Sequence, residues 1–356
     1  MSTRLDLVAG GAGEEGALRP PSFRGPHRRS PIERLQHVLH KSPTVISVFI
    51  LAVTLLAFGL VVGARFFSLF NFSLILQQVT VISVLSAAQT LVILTAGIDL
   101  SVGALMVLCS VVMGRTAVFA GVPAEVAIIL AFAIGGLAGL ANGLLITAAR
   151  LPPFITTLGT WNVFLALTLW YSQSQTVLAQ DIDAHAPLLH LFGHSVFVGG
   201  ARITAGTVLM LGVYAMLWYG LKKTAWGRHV HAVGDDREAA RLAGISTGRL
   251  LLSVWVVAGL ICALAGWVLI GRVGSITPQE GQTANLDSIT AVVVGGTSLF
   301  GGRGSLLGTL NGALIVGIFR NGLALARVDS LWQNFAIGLL IIVAVAIDQR
   351  IRKISA

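Results

Sequence analysis

Apolar residues in this chain run in long stretches instead of alternating or recurring on one helical face. Apolar stretches of about 20 residues span a bilayer core about 30 Å thick, and ten are read here. The clear ones cover 44–64, 72–94, 124–147, 203–221, 250–270 and 331–347; shorter or glycine-interrupted ones cover 100–119, 154–172, 286–300 and 304–326. In lipid a spanning backbone must satisfy its own N–H and C=O groups. The pattern therefore predicts an all-α polytopic membrane protein of about ten transmembrane helices.

Composition agrees. Of 356 residues, 55% are hydrophobic and 11% charged, against about 25% charged in an ordinary soluble domain, so a soluble enzyme is excluded. Cys109 and Cys262 both lie in apolar runs, which leaves neither a disulfide framework nor a cysteine metal site. The 41 glycines suit helices whose backbones approach closely in lipid.

The net charge of +9 is a topology signal. With the N-terminus inside, the loops assigned to the cytoplasm hold 18 of the 24 Lys and Arg residues, as the positive-inside rule requires. An even number of spans puts both termini in the cytoplasm. Residues 1–43, rich in Gly, Pro and Arg, read as a mobile basic cytoplasmic tail with one short helix at 31–41. They are too long and polar for the n-region of a cleaved signal peptide, so the first span is expected to stay. The transmembrane domain then covers 44–348 and a C-terminal cytoplasmic tail 349–356. No basic face interleaved with readout groups is visible, so nucleic acid is not an expected partner.

Residues 139–146 (GLANGLLI) and 308–315 (GTLNGALI) share G-x-x-N-G-x-L-I. Five spans apart, they must run in opposite directions, as in an inverted repeat joining spans 2–5 to spans 7–10. A looser echo links GIDLSVG at 97–103 with GGTSLFG at 295–301.

Carboxylates at membrane depth are functional candidates by default, and two stand there: Asp99 in LTAGIDLSVGAL and Asp287 in TANLDSITAVVVGG. Capping is the competing role, Asp99 at a broken helix and Asp287 at a helix N-terminus. Polar side chains punctuate the spans, among them Gln89, Asn142, Thr157, Asn162 and Asn311. Together with Asp99 these are the candidates for a translocation path, although each alone serves equally well as interhelical glue.

The loop 222–249 contains DDREAARLAGI, which suits a short surface helix closed by Gly244. Such a helix between two spans could dock a soluble partner or be a plain solvated loop. No lysine follows a glycine anywhere, so the chain carries no G-x-x-x-x-G-K-[ST] phosphate loop; TSLFGGRGS reads as a tight turn. His185, His190 and His194 lie in the external loop 173–201 without the companions of a zinc site, and no catalytic triad or nucleophile elbow is present. Neither a metal site nor a catalytic residue is expected.

LVILTAGIDLSVGALMVL, LPPFITTLGTW, TAWGRHVHAVGDDREAARLAGI and LDSITAVVVGGTSLFGGRGSLLGTLNGALIVGIFRNGL together resemble the permease subunits of bacterial ABC importers of the ribose, xylose and fructose type, over about residues 45–348. The resemblance implies a non-enzymatic transport subunit of the bacterial inner membrane. It would work with a second permease copy, identical or a close paralogue, and with a cytoplasmic ABC ATPase and a periplasmic sugar-binding protein. ATP and magnesium would sit on the ATPase, with no cofactor on this chain. The coupling helix that docks on the ATPase would be Gly234, Asp235, Asp236, Glu238, Ala239, Ala240, Arg241, Leu242, Gly244 and Ile245. QDIDAHAPLLHLFG would face the binding protein, and its likeness to fructose-type permeases makes fructose the best single substrate. The long tail and the Asp after AVG depart from the family pattern. Two other functions stand beside this one: a proton-coupled secondary sugar transporter using Asp99, and an ABC permease for branched-chain amino acids.

Overall fold

A computed structural model describes residues 43–281 and 283–355. The basic tail and the short helix expected at 31–41 lie outside the described residues, except for Pro43, which opens the first helix. Five helices come first: α1 (Pro43–Val62), α2 (Leu69–Leu94), α3 (Val102–Val118), α4 (Ala124–Thr147) and α5 (Pro153–Ser172). A more irregular segment holds α6 (Ala179–His185), a 3-10 turn (Pro187–Gly193) and the strands β1 (Ser195–Val198) and β2 (Ala201–Thr204). Then follow α7 (Ala205–Lys223), α8 (Ala225–Asp235), α9 (Arg237–Leu242), α10 (Thr247–Val273), α11 (Ala284–Val294), α12 (Leu306–Leu325) and α13 (Ser330–Ser355).

Six helices among the described residues are long and apolar enough to cross a membrane, covering Ser47–Arg65, Leu69–Leu94, Ala124–Thr147, Ala205–Lys223, Thr247–Val273 and Leu306–Leu325. Val102–Val118, Ala284–Val294 and Ser330–Ala346 are apolar but shorter. The stretch 286–300 is thus not one spanning helix. α11 has 11 residues, about 16 Å at ~1.5 Å per residue, and the chain turns from Gly295 onward. At the C-terminus, α13 continues through Ser355. Among the described residues the all-helical expectation has one exception, the antiparallel hairpin pairing Ser195 with Thr204 through Val198 with Ala201. SVFV and ARIT bracket Gly199 and Gly200, which supply the two left-handed residues that a two-residue hairpin turn needs.

α2 and α10 form the centre. α2 is buried continuously from Val79 to Leu94 and packs on α10, α12, α11 and α7. A helix apolar on every side is stable only in such surroundings. Hydroxyls tie its neighbours to it: Thr80 Oγ1 pairs with Thr207 Oγ1 of α7 at 3.0 Å and Thr90 Oγ1 with Thr309 Oγ1 of α12 at 2.8 Å. Gly135, Gly139 and Gly143 line the face of α4 that lies on the backbone of α10, a small-residue seam that brings two membrane helices close. The contact pattern is internally matched. Exchanging α2 with α10, α3 with α11 and α4 with α12 maps the packing of α4 on α10 and α3 onto that of α12 on α2 and α11.

Candidate functional site

The loop 222–249 folds into two helices. α9 begins at Asp236, whose Oδ1 accepts from the Glu238 and Ala239 N–H groups, each at 2.9 Å, satisfying donors that a helix start leaves open. It ends in a Schellman motif. The N–H of Gly244 (φ +86°) donates to the Arg241 carbonyl and that of Ile245 to the Ala240 carbonyl, both at 3.0 Å. Glu238 and Arg241 pair on the exposed side; the guanidinium holds the Glu238 carboxyl below its usual range, and the carboxylate raises Arg241 in return. Ala240 is buried, while Leu242 is 78% exposed, an apolar knob on a charged helix.

α8, a helix where the sequence predicts loop, holds α9 against the protein. Thr224 Oγ1 accepts from the Gly227 N–H at 3.3 Å, Val230 and Val233 are buried, and Trp226 Nε1 donates to Ser253 Oγ of α10 at 2.8 Å. At its end Gly234 presses against the Leu94 carbonyl of α2 and the Gly302 nitrogen, leaving no room for a Cβ. The Gly302 N–H donates to that same carbonyl at 3.0 Å, and His231 Nδ1 pairs with the Gly302 carbonyl at 3.0 Å. Three segments therefore meet at one point: the end of α8, the end of α2 and the 298–303 turn. TSLFGGRGS is indeed a turn, joining α11 to α12.

α2 and α11 close alike. Ala96 (φ +60°) donates to Ile93 and Gly97 to Val92; Gly296 (φ +85°) donates to Val293 and Thr297 to Val292. The echo between 97–103 and 295–301 has this structural counterpart, but shifted by two residues, with Ala96 matching Gly296.

Beyond the α2 break, Asp99 Oδ1 accepts from the N–H and Oγ of Ser101 at 2.7 and 2.6 Å. Asn142 Nδ2 donates to Ser101 Oγ at 3.1 Å, and Thr157 Oγ1 to the Ile98 carbonyl at 3.1 Å. Three path candidates, Asp99, Asn142 and Thr157, thus gather around 97–101 and brace the entry to α3. The other three stand apart. Gln89 is fully buried, and neither amide atom has a partner among the described residues. Asn311 Nδ2 reaches Ser47 Oγ of α1 at 3.4 Å. Asn162 is exposed on α5, its amide folded back to the Leu158 carbonyl at 3.0 Å. A cavity of about 450 Å3 opens below the break, lined in part by Thr95, Gly97, Asp235, Arg237, Trp255 and Phe300.

Asp287 does not cap α11. It lies in the first turn and takes both Arg320 Nε at 3.2 Å and Nη2 at 2.7 Å. Sequence reasoning passed over Arg320, although a lone arginine in GALIVGIFRNGL is a signal in itself. In the segment 173–201, His190 Nδ1 pairs with Asp183 at 2.7 Å and Nε2 with the Gly274 carbonyl at 3.0 Å, a fastening between the 3-10 turn and the end of α10.

A bundle of apolar helices with braced breaks and a surface helix wired to them defines a polytopic membrane permease. The sequence matches the family described as "Branched-chain amino acid transport system / permease component" over residues 71–345, and the chain belongs to that family. It is 54% identical to the fructose import permease protein of Rhizobium meliloti, covering 93% of this chain and 92% of the relative. The ribose import permease proteins of Bacillus subtilis (38%, covering 88% and 94%) and Escherichia coli K12 (36%, covering 83% and 91%) are also similar. No solved structure matches it.

Proposed function

We propose that this chain is the permease subunit of an ABC importer that carries a monosaccharide, of the fructose type, across the bacterial inner membrane. The observation that carries this is the pairing of near-full-length likeness to sugar import permeases with the α8–α9 unit, which offers an exposed helix and is anchored on two helix breaks. ATP and magnesium sit on a partner ATPase that docks at Gly234–Ile245. Closure of two ATPases pulls on α9; α8 passes the displacement through Gly234 to Leu94 and Gly302, and so to α2, α3, α11 and α12.

The matched contacts of α2–α4 with α10–α12 support the inverted repeat of spans 2–5 and 7–10, with α3, α5 and α13 added to the six long helices and the tenth crossing made by the short α11 together with the chain that turns from Gly295. The basic residues of 222–249 support cytoplasmic termini, a cytoplasmic tail over 1–43 and a permease domain over 44–348. The outer loop 173–201, with Phe197 exposed on its hairpin, is the face for the sugar-binding protein. A second copy covers the exposed face of α5. An asparagine facing lipid is costly, whereas between two copies Asn162 lines a polar route.

A secondary transporter using Asp99 is disfavoured because that carboxylate is already engaged as the cap of a break. The deciding experiment is uptake of labelled fructose into proteoliposomes holding this chain, its ATPase and its binding protein, comparing wild type with Glu238→Arg plus Arg241→Glu. Accumulation that needs ATP and binding protein and is lost in the folded double variant supports the reading; uptake that follows a proton gradient without the ATPase sinks it.

A further inference from the structure

A second cavity, of about 380 Å3, lies where the ends of α3 and α5 meet and is lined by Arg115, Phe119, Trp170, Tyr171 and Gln173, with Ala120. Its size falls in the range of small-ligand sites, about 300–1,000 Å3, and its walls combine flat aromatic faces with fixed donors. Arg115 is held in place: Nη1 donates to the Ser172 carbonyl at 2.9 Å, and the guanidinium carbon stands 5.0 Å above the Phe119 ring. Tyr171 Oη is paired with Thr116 Oγ1 at 2.9 Å. Gln173 (φ +51°) and Ser174 (φ +56°) are consecutive left-handed residues at the end of α5, a position normally given to glycine. Strain of this kind persists where the surroundings impose it and gathers at functional sites.

The cavity also has a place on the proposed route. Gly159, Asn162, Val163, Ala166 and Trp170 are all exposed and share one face of α5. Trp170 stands about 12 Å along the helix from Asn162 at ~1.5 Å per residue. That face leads from the polar asparagine to the cavity mouth, where Trp170 is 75% exposed.

We infer that this cavity is an outer receiving site for a monosaccharide, where Trp170 takes the C–H face of the sugar ring and Arg115 and Gln173 donate to its hydroxyls. The inference rests on the import reading above. The sugar leaves the binding protein here and then passes along α5 between two permease copies.

The test uses the full chain with its ATPase and binding protein in proteoliposomes, with labelled fructose. Gln173→Gly deletes the amide while relieving the left-handed strain, so stability holds; Trp170→Ala removes a side chain that supports no core. For both, the loaded binding protein needed for half-maximal uptake rises about tenfold, equivalent to ~1.4 kcal/mol. Trp170→Phe recovers most of it, and stimulation of the ATPase by empty binding protein is unchanged. Half-saturation equal to wild type overturns the inference. So does loss of ATPase stimulation in step with uptake, which makes the cavity a protein-docking surface. An effect confined to vesicles containing phosphatidylglycerol overturns it too, since the occupant is then a lipid headgroup. Absence of ATP-driven uptake in the wild type brings down the import reading itself, a result separable from the other three.

Discussion

Arg320 donates from Nη2 to Asp287 Oδ1 at 2.7 Å, joining α12 to α11 within the apolar body of the protein. Only 7% of the Asp287 side chain is accessible. Breaking a buried pair by removing one member strands the other charge at a cost of about 3–5 kcal/mol, whereas replacing both is far milder. Arg320→Met should lower the midpoint of thermal unfolding in detergent sharply, and Asp287→Asn with Arg320→Met should recover most of the loss. Equal losses in the two would show that the pair is solvated.

Gly234 leaves no space for a methyl group between α8, Leu94 and Gly302. Gly234→Ala must push α8 off the α2 end, and overpacking of this kind costs about 1–3 kcal/mol. The expected outcome is loss of sugar uptake with retained ATP hydrolysis, read as moles of ATP used per mole of sugar. Tight coupling in the variant would remove Gly234 from the transmission path.

Asp99 serves Ser101 as an acceptor, so Asp99→Asn, which keeps Oδ1, should fold and transport close to wild type. Asp99→Ala deletes the cap and should cost about 1 kcal/mol. Uptake by Asp99→Asn that loses its dependence on a proton gradient would revive the secondary-transporter reading.

The Arg241 guanidinium holds the Glu238 carboxyl below its usual range. A carboxylate depressed in the folded state adds stability that is present above its unfolded value, about 4.3, and lost as pH falls through the depressed value. The pair is fully exposed, so salt weakens it. Amide exchange of Ala239–Leu242, corrected for intrinsic rates, should therefore quicken on acidification through that window. Glu238→Gln should lack this component, and a wild-type profile matching the variant would show the pair to be idle.

The chain's hydropathy alone determined that this is a helical membrane protein, because about 20 apolar residues in a row have no other stable home than lipid or a helical core. α9 was equally legible: its charges and its stop at Gly244 are local features, written in consecutive residues. The glycine-rich N-G motifs marked α4 and α12 for the same reason. What only the tertiary structure decided depends on residues far apart in sequence. α8 carries mixed polarity and becomes a helix by burying Val230 and Val233 against the body. Asp287 finds Arg320 across 33 positions, and no local pattern could tell that partner from a helix cap. Asp99, Asn142 and Thr157 stand on three separate segments until packing gathers them about one break, while Gln89, Asn162 and Asn311, alike in sequence, go to three different environments. Periodicity fixes which residues leave water; the close approach of helix backbones, set by glycines and hydroxyls, fixes which of them meet.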